Sequence, residues 1–343
     1  MGATQPDSRE AGLLERARSG DRDAFGDLVE FHRAGLQAHC YRMLASAEDA
    51  EDALQEALLR AWLRLSQFEG RGSIQSWLYT IATRSALDAA LRRPVRVLPL
   101  DHVESESLDG SRVPAAETAW LGPYPADRLG LGSGLASPEA RYELRESVEL
   151  AFVAAIQQLA PRQRAVLLLR DVLGFSAREV SETLGMSVAA ANSALERARA
   201  AVAHRCPEPS QQATLRAVGD ARVRELVTRY ADALEEADLE AMLALLVEDA
   251  TWAMPPEPRW YRGHQAIAEF LSRGPFRERW RHRPTSANGQ VAVGCYIWDA
   301  SRGVYGALVL DVLTLRGAQI GAVTAFIDPS NFPRLGLPTE IAP

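Results

Sequence analysis

The sequence predicts a multidomain chain, with two all-α helical domains followed by an α+β domain. Three observations carry that expectation. Apolar residues recur at spacings of three and four over 21–93 and again over 138–204. Between those blocks, 94–137 is rich in Pro, Gly, Ser and Asp and holds no sustained period. After Val218, helical segments give way to runs of Val, Ile, Leu and aromatic residues. A chain of 343 residues is long enough for two or three separate cores. The expected bounds are 10–93, a linker at 94–137, then 138–206 and 218–335, because a structureless stretch of that length is unusual inside one domain.

Composition narrows the function classes. At 47% hydrophobic and 24% charged residues the chain has the make-up of a globular protein. No apolar run approaches the roughly 20 residues that span a bilayer. The first fifteen residues carry acidic side chains and no apolar stretch of the secretory kind, so a cytoplasmic location is expected. Cys40, Cys206 and Cys295 lie far apart without a CxxC pair, which argues against a zinc site or a disulfide framework. No metal or cofactor is expected. All 38 basic residues are arginine, and the net charge is −7. Phosphate binding needs clustered positive charge, so contact with nucleic acid would require local basic patches or a partner.

In the first block, Asp49–Trp62 reads as a strong helix. Ala50, Ala53, Leu54, Ala57, Leu58, Ala61 and Leu65 form one apolar stripe, and Asp49, Glu51, Asp52, Gln55 and Glu56 fall largely opposite it. That acidic face is either ordinary solvated surface or a docking surface for a basic partner. Phe68-Glu-Gly-Arg-Gly-Ser-Ile-Gln-Ser-Trp77 then forms a glycine-bearing loop opening a helix, with Ser73 as its cap. Arg84, Arg92, Arg93 and Arg96 make that helix and its exit basic. Aromatic residues beside a basic helix suit single-stranded nucleic acid, although Trp77 and Tyr79 read equally as core.

The order of DAEDALQEALLRAW, FEGRGSIQSWL and TIATRSALDAALRR resembles region two of the extracytoplasmic-function sigma factors of the sigma-70 family. The resemblance implies that Asp49, Asp52, Gln55 and Glu56 dock on the clamp helices of the largest subunit of core RNA polymerase. It also implies that Ser76, Trp77, Tyr79, Thr83, Arg84, Asp88 and Arg92 open the −10 element of promoter DNA. Arg84 stands where many relatives carry Asn.

The second block reads as a helix-turn-helix. Ser176 caps a helix running to Leu184, Gly185-Met186-Ser187 makes the turn, and Val188 opens the second helix. Val180, Leu184, Ala191, Leu195 and Ala198 are spaced to pack the two helices together. Ser187, Asn192, Ser193, Arg197 and Arg199 supply donors for base edges and phosphates, and the small Ala189 allows close approach to a groove. FSAREVSETLGMSVAAANSALERAR resembles region four of the same family, which reads the −35 element. A sigma factor meets promoters as part of holoenzyme, which reconciles DNA binding with the acidic net charge.

In the last segment, helices are expected over 223–237, 239–246 and 264–271, and strands over 250–254, 289–298, 303–315 and 319–327. The run from Tyr230 to Trp252, with Tyr261-Arg-Gly-His264 after it, resembles a SnoaL-like cone domain, an appendage of some sigma factors. Trp120-Leu-Gly-Pro-Tyr-Pro125 resembles a linker motif of the same subgroup, with Gly122 where many relatives have an acidic residue. Such cones enclose a pocket, for which Tyr230, Trp252, Met254, His264, Trp298 and Asp311 are the candidate lining. Trp252 and Trp298 read first as core packing, and Asp311 inside an apolar strand needs a partner. The expected function is promoter-specific transcription initiation without enzymatic activity. In that reading the C-terminal domain regulates it by contacting the sigma domains or the linker. The alternative is a ligand-binding or isomerase-like C-terminal module.

Overall fold

The computed structural model describes residues 8–70, 72–102, 119–125, 145–206 and 209–343. The first helices are α1 (Ser8–Arg18), α2 (Arg22–Leu44), α3 (Ala47–Arg64) and α4 (Ile74–Ala90). A short strand β1 (Arg96–Val97), a turn of helix α5 (Pro99–His102) and β2 (Ala119–Trp120) follow. Next come α6 (Leu150–Gln157), α7 (Pro161–Leu167), α8 (Ala177–Leu184), α9 (Val188–Ala203), α10 (Gln211–Val218), α11 (Asp220–Glu235) and α12 (Leu239–Leu245). The remainder is β3 (Leu246–Ala253), β4 (Trp260–Arg262), α13 (Gly263–Arg273), β5 (Trp280–Ala287), β6 (Gln290–Asp299), β7 (Val304–Arg316), β8 (Gln319–Ile327), α14 (Asn331–Arg334) and β9 (Glu340–Ile341).

Side-chain caps set where the helices begin. Asp21, Ser46, Ser73, Ser187 and Ser210 each accept a hydrogen bond from the first turn of the helix that follows. Ser176 and Glu179 form a reciprocal capping box at the start of α8, and Gly185 ends that helix in the left-handed conformation.

The chain divides into two compact units. One comprises Met1–Val95, Asp127–Ser147 and Ala155–Arg205; the other comprises Arg96–Ala126, Val148–Ala154 and Cys206–Pro343. The first unit therefore holds the first helical block and most of the second, whose Val148–Ala154 belongs to the other unit. Its core includes Leu28, Leu36, Met43, Ala50, Leu54, Ala82, Val166, Leu169, Val180 and Leu195, all buried. Each large apolar side chain buried there contributes about 1.5–3 kcal/mol.

In the second unit a sheet of order β4-β3-β8-β7-β6-β5 carries α10–α13, with β9 added beside β7. β3 runs parallel to β8 and the other pairs are antiparallel. One sheet face packs Val293, Cys295, Leu313 and Val323 against Tyr230, Trp252, Ile267 and Leu271. On the opposite face the C-terminal tail lays Phe332, Leu337 and Ile341 over Tyr296, Tyr305 and Trp298. Gly294 permits this approach, since a Cβ there would lie 2.7 Å from Leu337 Cδ1 and 3.1 Å from Phe332 Cε1.

Two expectations need correction. β5 was not expected, because its arginines and Pro284 give a polar pattern. It exists as an edge strand, where Pro is tolerated. The signal for it was Asn288-Gly289, both at positive φ, a two-residue hairpin loop joining Ala287 to Gln290. The linker expected at 94–137 is also not free along its length. Residues 103–118 and 126–144 lie outside the described residues, but β1 pairs with β2, and Leu121 and Tyr124 are wholly buried in the second unit. Tyr124 N–H donates to Asn288 Oδ1 at 2.9 Å, and Asn288 N–H returns a bond to the Tyr124 carbonyl at 2.8 Å. Asn288 Nδ2 donates to the Val148 carbonyl at 2.8 Å. One buried amide thus holds two chain segments.

Candidate nucleic-acid and partner interface

α3 and α4 lie side by side because each carries an alanine-rich buried stripe: Ala50, Ala53, Ala57 and Ala61 on one, Ala82 and Ala86 on the other. Small side chains bring the axes close and leave a surface groove of about 310 Å³ lined by Asp49, Asp52, Glu56, Arg60, Asp88, Arg92 and Arg93. Its charges are internally paired. Arg93 contacts Asp49 and lies 3.6 Å from Asp52. Arg60 bonds Glu56 at 2.8 Å and Asp88 at 3.0 Å. Of the acidic docking set, Asp52, Gln55 and Glu56 are exposed, whereas Asp49 is mostly buried under its arginine.

The residues expected to open DNA divide. Ser76 is half-buried and shares a hydrogen bond with the cap Ser73 at 2.9 Å. Trp77 is half-buried against Phe68, with ring centroids 5.5 Å apart. Arg92 is exposed. Tyr79 and Thr83, in contrast, face inward and are not presented to DNA. Thr83 donates to the Tyr79 carbonyl at 2.7 Å and meets His39 Nε2 at 2.9 Å. Tyr79 sits edge-on between His39 and Phe175. Gly35 makes room for it, since a Cβ at that position would lie 2.5 Å from the Tyr79 hydroxyl. A spacing of four on one helix face cannot by itself say which side is covered, and here the second helical block covers it.

Arg84 is held by that block as well. Its Nε–H donates to the Thr183 carbonyl at 3.0 Å, and Nη2 donates to the Glu182 carbonyl at 3.3 Å. These are late carbonyls of α8, where the helix dipole favours a cation. Thr80 and Thr183 hydroxyls meet at 3.1 Å beside them. Deeper in the unit, the buried Arg164 donates to the carbonyls of Ile156, Gln157 and Met43. Gln157 Nε2 donates to the Arg42 carbonyl at 3.0 Å, and Arg42 donates to that of Ser147 at 3.2 Å. Burial pulls the Arg164 pKa down to about 10, still charged at neutral pH.

On α9, Ala189, Asn192, Ser193 and Arg197 are exposed, while Ala191, Leu195 and Ala198 are buried against α8 and its neighbours. Ser187 is occupied as the cap, accepting from Ala190 N–H at 3.1 Å. Arg199 makes a two-point bond to Asp171 at 2.8 and 2.6 Å, so this cation is tied to its own domain.

Of the expected C-terminal pocket residues, Tyr230, Trp252 and Asp311 come together, whereas His264 and Trp298 lie apart from them. Asp311 is buried, accepting from Tyr230 Oη–H at 2.9 Å and from Cys295 Sγ–H at 3.2 Å. Its other oxygen has no hydrogen-bond partner among the described residues. Burial drives its pKa up to about 6 and pushes the Tyr230 and Cys295 groups well above their ordinary values. Trp252 stacks on Tyr230 in the core. His264 instead bonds the Leu246 carbonyl at 3.2 Å. Trp298 lies on the opposite sheet face beside Tyr305, so it does not line a pocket with Asp311. The buried acid and His264 are thus engaged separately, on different partners.

Residues 28–95 match the Sigma-70 region 2 family, 149–202 match Sigma-70 region 4, and 227–323 match the SnoaL-like domain. The chain is 39% identical over 324 residues to the ECF RNA polymerase sigma factor SigG of Mycobacterium tuberculosis, covering 93% of this chain and 85% of SigG. It belongs to the ECF RNA polymerase sigma factors. It is also 29% identical over 250 residues to SigJ of the same organism, covering 70% of this chain and 69% of SigJ. The crystal structure of that extracytoplasmic-function sigma factor SigJ superposes with a TM-score of 0.54 at 24% identity, covering 89% of this chain and 97% of SigJ. That likeness fixes the architecture of the sigma factor: helical domains followed by a sheet-rich SnoaL-like domain. Among its described residues no group of three metal-binding side chains occurs, and no helix is long and apolar enough to cross a membrane.

Proposed function

We propose that this sigma factor docks on the clamp helices of core RNA polymerase through Asp52, Gln55 and Glu56, with Asp49 released from Arg93. Ser76, Trp77, Arg84 and Arg92 engage the −10 element, and the exposed face of α9, Ala189-Asn192-Ser193-Arg197, engages the −35 element. The two elements lie about 25 base pairs apart, roughly 85 Å at ~3.4 Å per base pair. In the first unit α4 and α8 touch, with Thr80 and Thr183 hydroxyls 3.1 Å apart. The helices must therefore part before both elements are read, and the form described here is a closed one.

The C-terminal domain acts as a regulator in this reading, not as a catalyst. The observation that carries it is the capture of Tyr124 by Asn288, which fixes the tether that must extend when region two and region four separate. A fused domain acts at high effective concentration. The test is run-off transcription with purified core enzyme, comparing the full chain, Asn288→Ala and a chain ending at Arg205. Altered transcription in both variants is expected. Identical output from all three sinks the regulatory role, and absence of core-dependent transcripts from every form sinks the initiation assignment.

A further inference from the structure

We propose that the edge strand β5 of the C-terminal domain is a phosphate-backbone contact for duplex DNA, separate from the two helical readers. Arg279, Arg281 and Arg283 alternate along this strand and project to one side, while Trp280 and His282 project to the other and stack together. Arg279 lies 5.0 Å from the Trp298 ring centroid, and Arg281 lies 5.5 Å from that of Tyr305. These contacts place the guanidiniums of Arg279 and Arg281 on the sheet face that carries the C-terminal tail, and strand alternation puts Arg283 on the same side. The tail covers the β6–β7 part of the face, seated on Gly294, Tyr296 and Tyr305, and leaves the arginines of the edge strand exposed.

Same-side residues on a strand stand about 6.8 Å apart, twice the ~3.4 Å axial spacing of phosphates on each DNA strand. Neighbouring guanidiniums are therefore spaced widely enough to reach different phosphates of one strand. Its aromatic backing holds the guanidiniums extended and lowers the entropy lost on binding. Arg281 shares its charge with Glu235 at 2.7 Å. Among the described residues, Arg279 and Arg283 have no carboxylate within ion-pair distance. Glu278 adjoins Arg279 and is exposed but makes no ion pair with it, Asp299 is closed into its own hairpin by Ser301 and Arg302, and Glu340 pairs with Arg302. Of the arginines in the proposed DNA-reading helices, Arg84 and Arg199 are bonded internally, while Arg197 is exposed. In a chain of net charge −7, two exposed arginines on one strand face without a carboxylate partner are a further place where phosphate can be met.

The inference concerns the free full-length chain and does not depend on the −10 and −35 assignments. Its test is fluorescence anisotropy of a labelled 30-base-pair duplex of arbitrary sequence (about three turns of B-DNA), titrated with the full chain at several salt concentrations. Arg279→Ser/Arg283→Ser is expected to weaken binding by about tenfold at low salt and to reduce the salt slope by about two, near 0.9 per lost phosphate contact. Arg279→Lys/Arg283→Lys should keep the slope, and Arg197→Ala should leave this change intact. Unchanged affinity and slope in the serine variant overturn the proposal, as does failure of the wild-type chain to bind duplex at low salt. If the serine variant loses binding to a polyglutamate probe while duplex binding is unaffected, the face serves an acidic protein and the proposal falls.

Discussion

Arg84 donates its Nε–H to the main-chain oxygen of Thr183 at 3.0 Å, joining the helix proposed to engage the −10 element to the first helix of the helix-turn-helix. The residue that departs from the Asn of many relatives is thus also the one that bridges region two and region four. It cannot serve a base and cap α8 at once, so contact with the −10 element requires that bond to break.

Replacing Arg84 by Ala should loosen the closed unit. One charge-assisted bond to a carbonyl is worth about 1.5–3 kcal/mol. We expect faster proteolysis and a larger radius of gyration by small-angle scattering, with weaker opening of −10 DNA by holoenzyme. An unaltered radius and proteolysis rate would show that the bridge contributes nothing to closure.

Arg93 sits on the acids expected to meet polymerase, so Arg93→Ala should free Asp49 and Asp52. Partly exposed ion pairs are worth up to ~1 kcal/mol, which corresponds to up to about a fivefold gain in core affinity. Asp52→Arg/Glu56→Arg should lower that affinity by more than tenfold. Fluorescence titration of labelled sigma factor with core enzyme measures both, and equal affinities in all three proteins would remove the docking assignment.

Arg164 should be the costliest position in the helical unit. Arg164→Met leaves the carbonyls of Met43, Ile156 and Gln157 without that donor in a dry interior. The Ile156 carbonyl still accepts from Leu159 N–H, and unsatisfied buried groups cost about 1–3 kcal/mol each, so a loss of at least ~2 kcal/mol is expected in denaturant unfolding. A loss below ~1 kcal/mol would mean that water reaches the site.

Asp311 and His39 give the two units opposite pH responses. Burial raises Asp311 from 3.8 to about 6, so the folded state holds its proton more tightly than the unfolded chain. That stabilisation is complete below 3.8 and is lost as pH rises through 6. The gap corresponds to roughly 3 kcal/mol. His39, lowered to about 3 by burial, costs the helical unit stability as pH falls from 6.5 toward 3. Thermal unfolding between pH 7.5 and 5 should therefore show the C-terminal transition moving up and the helical one moving down. Asp311→Asn should abolish the first movement; if it persists in that variant, another group is responsible.

Legibility in the sequence followed how local each signal was. Ser46, Ser73, Ser176 and Ser187 announce their helices, because a cap and the amides it satisfies lie within three residues. The motif blocks led to the family for the same reason. The hairpin at Asn288-Gly289 was just as local, but the arginine-rich strand before it obscured it. The site was harder to read. The resemblance to region two implied DNA contact for Tyr79 and Thr83, yet Phe175 and His39 enclose them, and neither is near in sequence.

What the sequence determined by itself is the set of elements, their order and the family, since apolar period, caps and turn residues act over a few positions. The tertiary structure alone decided which side of each element is available. It tied the exposed Arg84, Arg93 and Arg199 to carbonyls and carboxylates of their own unit, put Trp298 on the sheet face away from Asp311, and locked Tyr124 under Asn288. Those outcomes depend on pairings across tens to hundreds of residues, where burial and hydrogen-bond satisfaction choose partners that no local pattern records.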